Sequence, residues 1–223
     1  MEKGEGNGRV IGLIAAVPTA YVLCEQEDLV RRTTSLCYVV TPVVMGTRRL
    51  MRSLNKAVSY LMTEYDSNQI GYLPYGVRPC FRWLEWLSLG LDHDPHVGKI
   101  SSRIVKECER ACPEDILLSG TGRGWLIRTE ALIDTGEFDE GFLGSVDYGM
   151  WDYENRMIQH GWSAMVSTNS QLVDDDLVIE CGEVDCQLLR AAEERYLRKW
   201  GQRIGMAQHR AVPLGEHERR GGS

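Results

Sequence analysis

The stretch of residues 120–162, GTGRGWLIRTEALIDTGEFDEGFLGSVDYGMWDYENRMIQHGW, joins a glycine loop, a short strand, a short helix, an acidic turn and an amphipathic helix in that order. Few folds need this succession. Gly120, Gly122 and Gly124 let the backbone turn sharply and come close to a ligand. Residues 125–127, beginning at Trp125, read as a buried strand. Thr129 is placed to cap a helix over residues 130–134, and Gly136 to end it with positive φ. Phe138-Asp139-Glu140 follows at once. From Ser145 onward, Val146, Met150, Tyr153 and Met157 recur at helical spacing, with Asp147, Asp152 and Arg156 on other faces.

Upstream, apolar runs alternate with amphipathic stretches. Residues 9–17 form a continuous apolar run ending in Pro18-Thr19, the pattern of a strand buried on both faces. A helix is expected over 25–36 and a strand over 37–40. The next helix, 46–62, carries Leu50, Leu54, Ala57, Val58 and Leu61 on one face. Residues 69–73 read as a third strand, running into Pro74-Tyr75-Gly76-Val77-Arg78-Pro79 and a Trp/Leu-rich helix over 81–89. A last helix spans 185–200. Such alternation predicts an α/β sheet whose ligand sites lie at the carboxyl ends of its strands.

The block from Ala131-Leu132 through Gly136, Phe138-Asp139-Glu140, Phe142 and Arg156 to Gly161-Trp162 resembles the acceptor half of a family 2 glycosyltransferase of the GT-A type. Pro18-Thr19, Asn55, Pro95 with Val97-Gly98, and the closing Tyr196-Leu197-Arg198-Lys199-Trp200-Gly201 extend the resemblance over about residues 10–201. It implies a single GT-A-like domain, residues 9–201, with a mostly parallel central sheet flanked by helices and flexible tails at 1–8 and 202–223. The implied activity is transfer of a sugar from a nucleotide-sugar donor to an acceptor hydroxyl of a carbohydrate, lipid or protein, with inversion. Pro18, Thr19, Thr41, Arg49, Asn55, Tyr75, Gly76 and Val77 would then meet the donor. Gly122, Gly124, Trp125, Phe138, Asp139 and Glu140 would shape the acceptor cleft. Inversion needs one carboxylate as general base. Counting from Glu140 selects Asp147, in a first helical turn where the dipole favours a carboxylate; counting back from Arg156 selects Asp152, which could equally pair with Arg156 at i,i+4.

The chain departs from the family where the third strand ends. An Asp-x-Asp-like motif there would hold Mn²⁺ or Mg²⁺ on the donor diphosphate, because hard cations favour carboxylate oxygens. Here Tyr75-Gly76-Val77 takes its place. Asp92-His93-Asp94 falls in a turn by position, and the acidic run at 174–176, with Asp175 at its centre, is the weak candidate for a metal ligand. Arg48, Arg49 and Arg52 offer forks suited to phosphate, or else simply a solvated helix face. A GT-A-shaped binding protein without activity is therefore the second reading.

Composition narrows the rest. A net charge of −7 disfavours a nucleic-acid partner. No apolar window reaches membrane-spanning length and residues 1–8 are polar, so a cytoplasmic setting is expected. Seven scattered cysteines read as reduced, mostly buried thiols.

Overall fold

The computed structural model describes residues 10–17, 23–44, 49–109, 117–119, 123–143, 145–174, 183–201 and 211–212. In chain order these form β1 (Ile11–Val17), α1 (Leu23–Thr33), β2 (Tyr38–Val44), α2 (Leu50–Tyr65), β3 (Gln69–Leu73), β4 (Val77–Pro79), α3 (Trp83–His93), β5 (Val97–Val105), β6 (Leu117–Ser119), β7 (Arg123–Arg128), α4 (Thr129–Thr135), α5 (Val146–Gln159), β8 (Ser163–Asp174), α6 (Glu183–Trp200) and β9 (Ala211–Val212). The tail expected at 1–8 lies outside the described residues. Within 202–223, Ala211 and Val212 form β9 against β6.

All strands join one sheet in the order β2-β1-β3-β7-β5-β8-β6-β9, with β4 paired to β8. The N-terminal strands are parallel, β1 lying between β2 and β3, and β5 runs parallel to β8. The remaining pairings, β3·β7, β5·β7, β4·β8, β6·β8 and β6·β9, are antiparallel. The α/β layering thus holds, while the sheet is mixed where a mostly parallel one was expected. An apolar run fixes burial on both faces but not the direction of the neighbouring strand.

β1 is buried along its whole length because helices cover both faces. On one side Ile14 and Ala16 meet Leu50, Leu54 and Leu61 of α2, with Trp125, Phe138, Tyr153 and Met157 in the same cluster. On the other, Ile11 and Leu13 join Trp83, Leu84, Leu87 and Leu91 of α3. β2 forms one edge of the sheet, which explains why Pro42 is tolerated inside it. The strand also runs three residues past Thr41, as Val43 and Val44 pair with Ala16 and Val17.

α5 carries a buried charge down to the sheet. Lys99 of β5, wholly buried, donates to Glu154 of α5 and to Ser101 Oγ at 2.6 Å. Burial pushes the Glu154 carboxyl up, and the Lys99 charge opposes that shift. A buried pair of this kind fixes the rotation of the helix, because slippage would leave both charges unpaired in a dry interior.

Two local expectations are corrected. Thr129 does not cap α4; its hydroxyl donates to the Asn68 carbonyl at 3.0 Å, tying the helix start to the β3 entry. The cysteines are not all reduced thiols, for Cys80 and Cys108 form a disulfide, and the free Cys37 and Cys186 are exposed. Gly136 does end α4 at φ 81°.

Candidate functional site

The candidate site is built around the C-terminal end of β3 and the turn that follows it. Tyr75 and Gly76 form a tight turn into β4, Gly76 standing at φ 79°. Val77 of β4 pairs with Asp174, the last residue of β8. β7 begins beside them: a β-carbon on Gly124 would lie 2.5 Å from Leu172 Cδ1 and 3.5 Å from both Pro74 Cδ and the Tyr72 carbonyl oxygen. With φ at 62° as well, this position demands glycine for close approach and for backbone conformation together. The glycine expected to line the site therefore brings β7 hard against the β3–β4 turn.

Arg123, one residue earlier, reaches Asp174 with Nη1 at 3.2 Å from Oδ2. Both side chains stay open to solvent, at 53% and 39%. Beneath them Tyr72 is buried and stacks on Trp125 at 5.2 Å between ring centroids. Its phenol is pushed well above the ordinary range by burial and by the charge of Asp147, with Arg123 pulling the other way. Arg123 and Asp174 thus meet at the end of β3, and Asp147 is near enough for its charge to act on Tyr72. Arg123 and Tyr72 were not singled out in the sequence; the only signal was their position flanking Gly124 and Pro74.

Asp147 sits in the first turn of α5 and is exposed. The turn is set by Ser145, whose hydroxyl accepts from the Tyr148 amide at 3.3 Å. The helix dipole favours a carboxylate there. Asp152 has a different surrounding. Wholly buried, it accepts from Arg156 Nε at 3.1 Å and Trp200 Nε1 at 2.8 Å, and Lys199 Nζ lies 2.6 Å away. It clamps α5 to α6.

The residues expected around the acceptor divide in two. Trp125 and Phe138 are core side chains, joined with Tyr153 in a ladder of rings 6.0 Å and 4.5 Å apart. Burial raises the Tyr153 phenol to about 12. They floor the site instead of lining it. Asp139 accepts from Arg195 at 2.9 and 3.0 Å and from the Gly141 amide at 2.8 Å, so the acidic turn is tied to α6. Glu140 is exposed. Gly122 falls outside the described residues.

Among the expected donor residues, Pro18, Thr19 and Arg48 also fall outside the described residues. Arg49 and Arg52 are exposed at the start of α2. Asn55 is buried and committed: its amide nitrogen donates to the Phe138 carbonyl at 3.0 Å and its oxygen accepts from the Phe138 amide at 2.9 Å. It therefore locks the acidic turn onto α2. Thr41 lies within β2 and lines a groove of ≈ 330 Å³ with Ser53, Lys56 and Tyr60.

Among the described residues there is no ready-made divalent-metal site. A donor-bound ion takes one or two carboxylates together with phosphate oxygens; the β3–β4 turn supplies no carboxylate, and Asp174 beside it is ion-paired with Arg123. Among the described residues no group of three or more His, Cys, Asp or Glu could hold an ion. Asp175 and Asp176 lie outside them. Asp92 and Asp94 stand at the opposite end of the sheet: Asp92 contacts Gln69, the first residue of β3, at 3.5 Å, and Asp94 accepts from the His96 amide at 2.8 Å.

No family model and no curated protein matches the sequence. Solved structures do resemble the fold. A mannosyltransferase from Pyrobaculum calidifontis in complex with GDP-Man and Mn²⁺ aligns at TM-score 0.55 and 15% identity, over 85% of this chain and 64% of that one. A Drosophila β-1,4-galactosyltransferase 7 mutant with manganese, UDP-Gal and xylobiose aligns at 0.52 and 10%, over 81% and 79%. S. aureus TarS residues 1–349 with UDP-GlcNAc align at 0.50 and 9%, over 85% and 66%. The chain thus spans slightly under two thirds of the mannosyltransferase. Its fold is α/β and GT-A-like. No helix among the described residues is long and apolar enough to cross a membrane.

Proposed function

We propose that this chain moves a sugar from a nucleotide-sugar donor to an acceptor hydroxyl with inversion, and that Asp147 is the general base. The observation that carries the reading is the placement of Asp147. It is an exposed carboxylate on the capped first turn of α5, close enough to the end of β3 for its charge to act on the Tyr72 phenol. The carboxylate takes the proton of the acceptor hydroxyl as that oxygen attacks the anomeric carbon from the face opposite the departing nucleoside diphosphate. A positioned base of this kind contributes about two to four orders of magnitude in rate. The buried ring ladder from Tyr72 to Tyr153 holds the floor rigid and dry beneath it, and the Asn55–Phe138 clamp joins the donor half to the acceptor half.

The acceptor is a carbohydrate, lipid or protein hydroxyl reached over Asp139 and Glu140. A cytoplasmic setting, expected from the sequence, requires the Cys80–Cys108 bridge to open in a reducing medium, since such disulfides persist chiefly in oxidising compartments. Counting thiols on freshly isolated protein distinguishes the two settings.

The test is a thermal-shift screen against UDP-, GDP- and TDP-sugars, followed by detection of released nucleoside diphosphate. A ligand that binds only the native state raises the melting temperature by mass action. A sugar nucleotide that both stabilises and is consumed supports the reading; one that stabilises without being consumed favours the inactive binding protein instead.

A further inference from the structure

We infer that Arg123 is the cationic ligand of the donor diphosphate, standing where a metal-dependent relative would place a carboxylate-bound cation. The inference rests on the glycosyl-transfer reading above and assigns a residue that reading left unused. Three independent placements converge. First, the turn after β3 offers Pro74, Tyr75, Gly76 and Val77, none of which can ligate a hard cation or neutralise a phosphate through its side chain. Second, the close contact of Gly124 with Pro74 and with the Tyr72 carbonyl sets the neighbouring Arg123 directly beside that turn. Third, Asp174, brought to Val77 by the β4–β8 pairing, grips one end of the guanidinium at 3.2 Å and leaves 53% of the Arg123 side chain open to solvent.

The chemistry fits a diphosphate. A guanidinium is always charged and presents a planar fork that matches two phosphate oxygens. The chain carries a net charge of −7, so a doubly or triply charged diphosphate needs a local cation to enter. Asp174 has the role of an orienting carboxylate here. It points the fork, and at the same time its own charge opposes the incoming anion. Arg49 and Arg52, exposed at the start of α2, supply the field on the other side of the strand ends. The Tyr72 phenol registers both Asp147 and Arg123, which places proton acceptor and diphosphate ligand around one strand end, as the reaction requires.

Calorimetry of UDP, GDP and TDP binding to the full chain, in EDTA and in Mn²⁺, tests this. Wild-type protein should bind one of the three in EDTA. Arg123→Ala should weaken that binding about ten- to a hundredfold, the worth of a charge-assisted contact, with Arg123→Lys between them. Asp174→Asn should tighten binding, because it removes an opposing charge. Unchanged melting temperatures for the variants would confirm that folding is not the cause. The inference is overturned, with the transfer reading intact, if Arg123→Ala binds as tightly as wild type, or if binding appears only with Mn²⁺ and is abolished by Asp174→Asn. If none of the three nucleotides binds under either condition, the transfer reading falls and this inference with it.

Discussion

Replacing Asp152 separates a structural carboxylate from a catalytic one. In the folded chain its two oxygens serve Arg156, Trp200 and Lys199 with no solvent exposure, at 3.1, 2.8 and 2.6 Å. Removing one partner of a buried ion pair costs about 3–5 kcal/mol. Two features pull the value to the lower end. Arg156 keeps the Thr135 and Glu137 carbonyls at 2.9 and 2.8 Å, and Lys199 keeps Asp139 at 3.3 Å. The Trp200 indole loses its acceptor, but the residue is only half-buried and water can take its place, so this adds little. Asp152→Ala should therefore cost about 3–4 kcal/mol, a fall in melting temperature of roughly 6–16 °C for a chain of this size. Asp152→Asn keeps an oxygen for Trp200 and Lys199 but loses the charge and turns an amide donor toward Arg156 Nε, so about 2–3 kcal/mol is expected. Urea unfolding followed by far-UV circular dichroism reads both values, and transfer assays on the folded fraction read activity. An Asn variant as stable as wild type to within about 0.5 kcal/mol, yet more than a hundredfold slower, would refute the reasoning and make Asp152 the base.

The Cys80–Cys108 bridge closes a separation of 28 residues, for which chain entropy predicts about 3–4 kcal/mol of stabilisation. Cys80→Ser and a thiol reductant should lower the melting temperature alike, and a reductant without effect would contradict the bridge. Asp139 should give the acid limb of stability: burial pushes its carboxyl up, but hydrogen bonds from Arg195 and the Gly141 amide, with the Arg195 charge, outweigh burial and hold it below the ordinary value. A depressed folded-state value gives stabilisation that is present above the unfolded carboxylate range near 4 and lost as pH falls through the folded value. The stability gap between wild type and Asp139→Asn should accordingly be open at about pH 7 and close toward about pH 3; a gap of constant size would count against the ion pair.

How far the sequence reaches is clearest at particular residues. β3 was read to its ends, Gln69 to Leu73, because five buried residues are bounded by a polar turn and a proline. α2 was legible from its apolar stripe, although it begins at Leu50 and not at Gly46, since periodicity marks a face and not a terminus. The positive φ of Gly136 followed from its place after a helix. Thr129 was misread because nothing local announces the Asn68 carbonyl, 61 residues earlier, as the better partner for its hydroxyl. The same limit hid the tie of Arg123 to Asp174, 51 residues apart, and that of Asp139 to Arg195, 56 apart. Pairings at such separations are set by strand order, which the alternation of apolar runs and helices does not reveal: nothing local announces the antiparallel insertion of β7 between β3 and β5. Asn55 was found by its family position, yet its role changed once Phe138 was seen to take both ends of its amide.

The central claim is that one exposed carboxylate, Asp147, accepts the proton in a sugar transfer. Single-turnover release of nucleoside diphosphate, measured for wild type and Asp147→Asn with the sugar nucleotide found in the thermal-shift screen, tests it most directly. Donor affinity and melting temperature should be unchanged in Asp147→Asn, with a rate lower by about two to four orders of magnitude. An Asp147→Asn protein that turns over at the wild-type rate would contradict it.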